Sequence, residues 1–110
     1  MKRDISIIKE ILIAIEDDLI KRGHPFKLSD INYSILEGHL KLLDYENLII
    51  VDDKKSLGTG ETFYYDVSLT NNGYDFIQAL KNKNVFSKLQ KLKEPLSMLI
   101  PIAIDLLKNS

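Results

Sequence analysis

The segment from Ser34 to Asp53, SILEGHLKLLDYENLIIVDD, constrains the fold more than any other because its periodicity changes partway along. Its first half repeats apolar residues at helical spacing, with an inward face of Leu36, His39, Leu40 and Leu43. Residues 48 to 51 are consecutive, apolar and mostly β-branched, as in a strand. Asn47 stands between the two patterns and tolerates the left-handed conformation that ends many helices. The segment therefore predicts a helix that passes directly into a β-strand.

The start of this helix has the spacing of a capping box. The hydroxyl of Ser34 is expected to accept from the amide of Glu37, whose carboxylate accepts from the amide of Ser34. A carboxylate here could also accept from cytosine in the major groove of DNA, but the cap explains Glu37 more simply. His39 lies among inward leucines, which favours a hydrogen-bonded core histidine over a metal ligand.

The strand is predicted to be half of an antiparallel hairpin. The polar segment from Asp52 to Thr62 contains two glycines and predicts a turn or a flexible tip. After it, apolar residues recur at the period of two that is typical of a half-buried strand: Phe63, Tyr65, Val67 and Leu69. Tyr64 alternates with them, so one of the two adjacent tyrosine rings must face inward.

The first helix is predicted from Asp4 to Lys21, because isoleucines and leucines recur on one stripe until Gly23 and Pro25 end the pattern. Ile13 and Ile20 are exceptions, since they fall on the polar side of this helix. Two apolar residues seven apart on one line form a seam, which predicts that another surface covers them.

Only ten residues separate Gly23 from Ser34, too few for a helix of two turns and a connecting turn. The supporting helix of a helix-turn-helix would therefore be truncated to one turn, at about residues 29–31. This connector is the main departure from a usual helix-turn-helix.

Further helices are predicted after the hairpin. Thr70 is expected to cap the third helix, whose buried face is Gly73, Phe76, Ile77 and Leu80. A fourth stretch has apolar residues at heptad spacing and is broken by Pro95: Val85, Leu89, Leu92 and Leu96. Pro101 either kinks the last helix or begins it, and the second interpretation is favoured.

The order of the elements predicts an α+β fold. It is a winged helix-turn-helix-like domain with a truncated supporting helix, one β-hairpin wing and additional C-terminal helices. Residues 1–94 are the predicted winged-helix-like domain. Residues 95–110 are predicted to form an apolar C-terminal helix that packs on the first helix, on a dimer partner, or on both.

The amino-acid composition excludes several classes of function. The 110 residues include no cysteine, which excludes a thiolate metal site and thiol catalysis. With 15 basic and 16 acidic residues the net charge is −1, so a nucleic-acid binder must segregate its charges locally. No nucleophile stands beside a base, so the sequence predicts no enzyme, cofactor, metal or small-molecule ligand. No signal peptide or membrane span is predicted, and a cytoplasmic location is expected.

Three motifs are distinctive: MKRD at residues 1–4, His39-Leu40-x-Leu42-Leu43, and Leu69-Thr70-x-x-Gly73. Through them the chain resembles, over nearly its whole length, the small bacterial family catalogued as domain of unknown function 2513, and more loosely the YjcQ family. The resemblance implies a winged-helix fold and an origin in low-GC bacteria or their phages. It implies no established activity and no catalytic residues. The two prolines of the last segment depart from the more polar tail expected of the family.

The exposed side of the second helix is predicted to carry six residues: Tyr33, Ser34, Glu37, Gly38, Lys41 and Asp44. With one cation and two acids it is a poor surface for phosphates. The candidates for contacting double-stranded DNA are Lys41, Lys54, Lys55, Lys81, Lys83, Lys88 and Lys91, of which Lys54 and Lys55 are placed at the wing tip. The five lysines between residues 81 and 93 meet no acid before Glu94, although they could simply line the wet side of a helix.

The last segment contains more apolar residues than one helix face can bury. This surplus predicts a homodimer with interface candidates Ile13, Ile20, Leu99, Ile102 and Leu106. The sequence therefore predicts a small non-enzymatic winged-helix protein, a candidate DNA-binding transcriptional regulator of bacterial or phage origin. The alternative is a dimeric protein–protein interaction module whose winged helix does not bind DNA.

Overall fold

The computed structural model describes residues 2–58 and 60–109, and these form five helices and one two-stranded antiparallel sheet. The α+β class is as predicted, and residue 59 of the predicted tip lies outside the described residues. In chain order the elements are α1 (Ile5–Glu16), α2 (Tyr33–Tyr45), β1 (Ile49–Ser56), β2 (Thr62–Leu69), α3 (Asn71–Lys81), α4 (Lys83–Gln90) and α5 (Leu96–Lys108).

Helix α1 ends at Glu16, so the predicted end at Lys21 is wrong. Asp18 adopts a left-handed φ of 54°. The amide of Leu19 then donates to the carbonyl of Ala14 at 3.0 Å, and the amide of Asp18 donates to the carbonyl of Ile15 at 3.1 Å. This is the Schellman pattern of helix termination. The predicted seam of Ile13 and Ile20 on one helix therefore does not form, because residue 20 lies beyond the helix.

The connector between α1 and α2 is an extended segment rather than a helix. Pro25 forms an isolated antiparallel bridge with Tyr65, and the amide of Phe26 donates to the carbonyl of Tyr64 at 2.8 Å. A single turn follows, closed by the amide of Ile31 and the carbonyl of Leu28. Strand β2 thus has β1 along one edge and the connector at the other.

The predicted capping box at the start of α2 is wrong. The helix begins at Tyr33, and the side chain of Asn32 accepts from the amide of Ser34 at 2.9 Å. Glu37 reaches the hairpin instead of the helix end. The predicted end of α2 at Asn47 is confirmed, since Asn47 has a left-handed φ of 58°. The amide of Leu48, the next residue, donates to the carbonyl of Leu43 at 3.0 Å.

The paired ribbon predicted from residue 48 to residue 69 is confirmed. Ile49 lies opposite Leu69, Asp53 opposite Tyr65 and Ser56 opposite Thr62. Strand β1 extends five residues beyond its predicted end at residue 51, because backbone pairing with β2 overrides the polar composition of DDKKS. The tip is correspondingly short.

The end of α2 and the start of α3 meet at one backbone junction. Thr70 caps α3 as predicted, since its hydroxyl oxygen accepts from the amide of Gly73 at 2.9 Å. The same hydroxyl donates to the carbonyl of Asn47 at 2.6 Å, and the amide of Thr70 donates to the carbonyl of Leu48 at 3.1 Å. A Cβ on Gly73 would lie 1.9 Å from the Leu48 oxygen, so only glycine permits this approach.

The core lies between the hairpin and all five helices and includes the predicted inward faces of α2 and α3. His39 is fully buried. Its Nε2 accepts from the amide of Asp4 at 2.9 Å, and its Nδ1, 2.8 Å from the carbonyl of Ile35, is assigned as the donor. It is the hydrogen-bonded core histidine that was predicted, and it ties the start of α1 to α2.

Pro101 lies inside α5, so the prediction that the last helix begins there is wrong. The helix begins after Pro95, whose carbonyl accepts from the amides of Met98 and Leu99. Ser97 and Pro101 are both exposed, so water can satisfy the carbonyl that the proline leaves without a donor. Helix α5 packs on α3 and α4, while its predicted packing on the first helix or on a dimer partner stays a prediction. Among the described helices, none combines the length and the apolar character needed to cross a bilayer.

Replacing Gly73 with alanine is expected to lower the free energy of unfolding by about 3 kcal/mol, because the new methyl group overlaps the Leu48 carbonyl and forces α3 away from β1. Urea denaturation measures this change. Gly58→Ala is the matched control, since a Cβ there meets no atom within 4 Å. Equal midpoints for the two variants would contradict the role of the junction.

Candidate nucleic-acid interface

The outward stripe of α2 is formed by Ser34, Gly38, Lys41 and Tyr45, which recur at four, three and four residues and so lie on one line of the helix. Ser34, Lys41 and Tyr45 are exposed, and Gly38 is half-buried. Tyr45 is 82% exposed, which makes it the most exposed of the large apolar or aromatic side chains in residues 2–58 and 60–109. Sequence analysis missed Tyr45, although its position four residues after Lys41 was the available signal.

The two acids predicted on this exposed side lie against the hairpin instead. The carboxylate of Glu37 accepts from the backbone amide of Thr62 at 2.7 Å, where β2 begins. The carboxylate of Asp44 forms an ion pair with the ammonium of Lys54 at 2.6 Å. Lys41 is therefore the one charged residue on the outward stripe of α2.

Tyr33 joins Glu37 in holding the hairpin. Its hydroxyl donates to the carbonyl of Thr62 at 2.5 Å, so α2 side chains bind both backbone groups of that residue. The ring of Tyr33 stacks on the ring of Phe63 at a centroid distance of 4.7 Å. Burial raises the pKa of the Tyr33 hydroxyl, and the nearby carboxylate of Glu37 raises it further. These contacts form the α2–hairpin clamp, made by Tyr33 and Glu37 on Thr62 and Phe63.

Lys54 and Lys55 lie within β1 rather than at the tip of the hairpin, so their predicted position is wrong. Successive strand residues point to opposite faces. The ammonium of Lys54 binds Asp44, whereas that of Lys55 lies 3.8 Å from Asp53 and 4.8 Å from the centroid of the Tyr65 ring. Lys54 is therefore paired closely with an acid, whereas the pair of Lys55 with Asp53 is longer, exposed to solvent and weak.

Tyr64 lies opposite Lys54 in the hairpin and points into the core. The predicted alternation is therefore wrong at this position, because it set Tyr65 with the apolar residues of the strand and Tyr64 on the other side, whereas Tyr65 is only half-buried. Burial raises the pKa of the Tyr64 hydroxyl to about 12, with a smaller contribution from the carboxylate of Asp44. Tyr64 is therefore a packing residue and cannot stack on a base.

Helix α4 retains three of the predicted lysines on its exposed surface: Lys83, Lys88 and Lys91, the last at its C-cap. The helix contains no acid, and these lysines form no ion pair within residues 2–58 and 60–109. Lys81 differs, because it ends α3 and binds the carboxylate of Glu16, which raises the pKa of its ammonium. The predicted run of lysines without an acidic partner therefore begins at residue 83.

The interface candidates lie in different environments. Leu99 is fully buried within the chain and is not accessible to a partner. Ile13, Ile20, Ile102 and Leu106 are half-buried and pack against the core. Met98, which the sequence analysis did not select, is 49% exposed at the start of α5.

No group of three or more histidine or acidic residues in the described part of the chain is arranged to hold a metal ion. A cavity of about 500 Å³ lies between the end of α1 and the hairpin. Its wall carries three carboxylates, from Asp18, Asp52 and Asp66, and two cations, from Lys21 and Arg22. The mixture of charges indicates no single class of ligand, and the absence of a cofactor and of enzymatic activity stays a prediction.

Comparison with known families gives one match. The model of the family described as "Hypothetical protein (DUF2513)" covers residues 2–97, which includes everything from the start of α1 to the first residues of α5. No curated protein and no solved structure matches the chain.

Glu37→Ala is expected to lower the free energy of unfolding by about 1–3 kcal/mol, because the amide of Thr62 loses its charged acceptor. Hydrogen exchange at Thr62 should become faster, and NMR measures it residue by residue. Glu46→Ala is the control, since this carboxylate at the end of α2 makes no hydrogen bond to the described residues. Unchanged exchange at Thr62 in Glu37→Ala would contradict the clamp.

Proposed function

The chain belongs to the DUF2513 family, and we propose that it is a small DNA-binding protein that places α2 in the major groove of double-stranded DNA. The family resemblance seen in the sequence is thus confirmed, while the looser similarity to the YjcQ family stays a prediction. A role as a transcriptional regulator of bacterial or phage origin, and a cytoplasmic location, are part of the same proposal.

The layout of the elements supports a winged-helix-like reading. Helix α2 passes into β1 through the left-handed Asn47, and the hairpin follows directly. The turn from Leu28 to Ile31 lies between α1 and α2, where a helix-turn-helix has its supporting helix. The extended connector that precedes this turn pairs with the free edge of β2 as a third short segment. In this interpretation α2 is the DNA-recognition helix and the β1–β2 hairpin is the wing.

One observation carries the proposal, namely that Glu37 and Asp44 are turned away from the outward stripe of α2. A duplex is bound largely through neutralised phosphates, so two free acids on a reading helix would oppose binding. Here Glu37 is held by Thr62 and Asp44 by Lys54. The outward stripe is left with one cation at Lys41, an aromatic ring at Tyr45 and two small residues. The small residues, Ser34 and Gly38, allow a close approach to base edges.

The expected affinity is modest. Lys54 and Lys55 are paired with acids and contribute little net charge to the wing. The net charge of the whole chain is −1, so attraction depends on local groups such as Lys41 and the α4 lysines. Binding should therefore be strongest at low salt.

Titration of the protein against a mixed-sequence fluorescent duplex at two salt concentrations tests the proposal. Wild type should bind at low salt and more weakly at high salt. Lys41→Gln should reduce the slope of log K against log salt by about 1, because one phosphate contact is lost. Lys108→Gln is the control, since it removes the same charge from the exposed end of α5, a helix that packs on α3 and α4. Absence of binding at low salt would contradict the proposal.

The second candidate is a dimeric interaction module whose winged helix does not bind DNA, and the observation that favours it is an apolar stripe on α5. Met98, Ile102 and Leu106 recur every four residues, with the first exposed and the others half-buried. Burying such side chains between two copies of the chain would favour association.

Light scattering at micromolar concentration tests this second candidate. Wild type should be a dimer, and Met98→Glu should be a monomer because it places a charge in the apolar contact. Ser97→Glu introduces the same charge at the neighbouring exposed position and should leave the dimer intact. A monomeric wild type would contradict the candidate. Point variants are used because removing α5 would also remove the buried Leu96, Leu99 and Ala103 from the core.

A further inference from the structure

We propose that the side of the hairpin turned away from the core binds two successive nucleotides of single-stranded DNA, with the rings of Phe63 and Tyr65 stacked on the bases. This site uses none of the residues of the outward stripe of α2 and adds a second class of ligand. Only the choice of DNA over RNA rests on the proposed function. The site is called the aromatic face below, and it comprises five residues: Lys27, Asp53, Lys55, Phe63 and Tyr65.

The side chains near the start of β2 point alternately to the two sides of the sheet. Tyr64 is buried in the core, so Phe63 and Tyr65 point the opposite way, and both are half-buried. The connector alternates in the same way, since Phe26 is buried beside Tyr64 and Lys27 is exposed. The Cα atoms of two residues on one side of a strand are about 7 Å apart. This spacing allows each ring to take one of two successive bases.

Each ring of the aromatic face has a lysine over it. The ammonium of Lys27 lies 5.1 Å from the centroid of the Phe63 ring, and that of Lys55 lies 4.8 Å from the centroid of the Tyr65 ring. Tyr33 is stacked on one side of the Phe63 ring, so Lys27 lies on the other side. Both lysines are exposed, and a cation–π contact at an exposed site is weak. One side of each ring is therefore accessible from solvent.

The two lysines match the phosphates that accompany the bases. A base that stacks on a ring displaces the ammonium, which can then pair with the phosphate of the same nucleotide. Lys27 forms no ion pair within residues 2–58 and 60–109, and Lys55 has only the exposed contact with Asp53 at 3.8 Å. With two cations and one acid, the aromatic face complements a polyanion, although the whole chain has a net charge of −1.

The rings favour an unpaired strand over a duplex and over a protein. The flat sides of bases are covered by their neighbours in a duplex, so a side chain stacks most readily on the bases of a single strand. An apolar protein surface could cover the rings, but it would leave the lysine over each ring without an anion. Tyr65 is held in place on both sides, by pairing with Asp53 of β1 and Pro25 of the connector. Aromatic residues on such a sheet surface stack successive bases in other single-strand binders.

The stacking is tested by titration of the full chain with a fluorescent oligodeoxyuridine strand at about 50 mM salt. Tyr65→Leu should weaken binding about tenfold, because one base loses its stacking partner. Tyr65→Phe keeps the ring and should bind as wild type does. Tyr74→Leu is the matched control, since Tyr74 is 52% exposed on α3 and lies outside the aromatic face. The melting temperature of each variant shows whether it is folded.

The phosphate contact is tested by repeating the titration at about 200 mM salt. Lys27→Gln should reduce the slope of log K against log salt by about 0.7, since one contact to a single strand is lost. Lys108→Gln is the charge-matched control on α5. Lys41→Gln, which alters the outward stripe of α2, should leave the single-strand slope unchanged.

The outcomes separate this inference from the proposed function. Wild type that binds duplex but no single strand at low salt overturns the aromatic face and leaves the proposed function standing. Equal single-strand affinities of Tyr65→Leu and Tyr74→Leu also overturn the aromatic face. Wild type that binds the single strand but no duplex overturns the proposed function alone. Tighter binding of oligouridine, which differs from the probe only in its 2′-hydroxyl groups, assigns the face to RNA and overturns its assignment to DNA.

Discussion

The contact of Gly73 with the carbonyl of Leu48 is the constraint on which the rest of the structure depends. It brings the start of α3 onto the backbone where α2 has ended and β1 begins, and Thr70 secures it with three hydrogen bonds. Because β1 begins and β2 ends at this junction, the register of the hairpin and its direction relative to α2 are set here. The α2–hairpin clamp then acts at the opposite end of the hairpin, on Thr62.

The two fixation points explain how a chain with a net charge of −1 can present an outward stripe on α2 that carries no acid. A hairpin held at both ends lies close enough to α2 for Glu37 to reach a strand amide and for Asp44 to reach Lys54. Both acids have a structural role and are removed from the outward stripe. The same packing pairs Lys54 with Asp44, so lysines without an acidic partner among the described residues remain at Lys41 and on α4. The α2–hairpin clamp and the distribution of surface charge are therefore both consequences of the way in which the hairpin packs on α2.

Much of the fold could be predicted because its determinants are local. The periodicity of α2, the stop at Asn47, the cap at Thr70 and the paired ribbon after residue 48 each depend on a few neighbouring residues. The candidate site was less predictable. Asn32 and Ser34 are both good caps, and the choice between them depends on where the extended connector delivers the chain. The partner of Glu37 lies 25 residues away, and the partner of Lys81 lies 65 residues away, so neither could be read from spacing.

The sequence by itself determined the order and type of the elements, the inward faces of α2 and α3 and the use of His39 as a core residue, since side-chain periodicity and capping act over a few residues. The tertiary structure decided which polar groups meet. It set Glu37 on Thr62 and Lys54 on Asp44, and it kept Pro101 within α5 because Leu96, Leu99 and Ala103 are all buried on one face of that helix. The physical reason is that a long-range ion pair or hydrogen bond depends on the distance between two surfaces, and that distance exists only after the elements have packed.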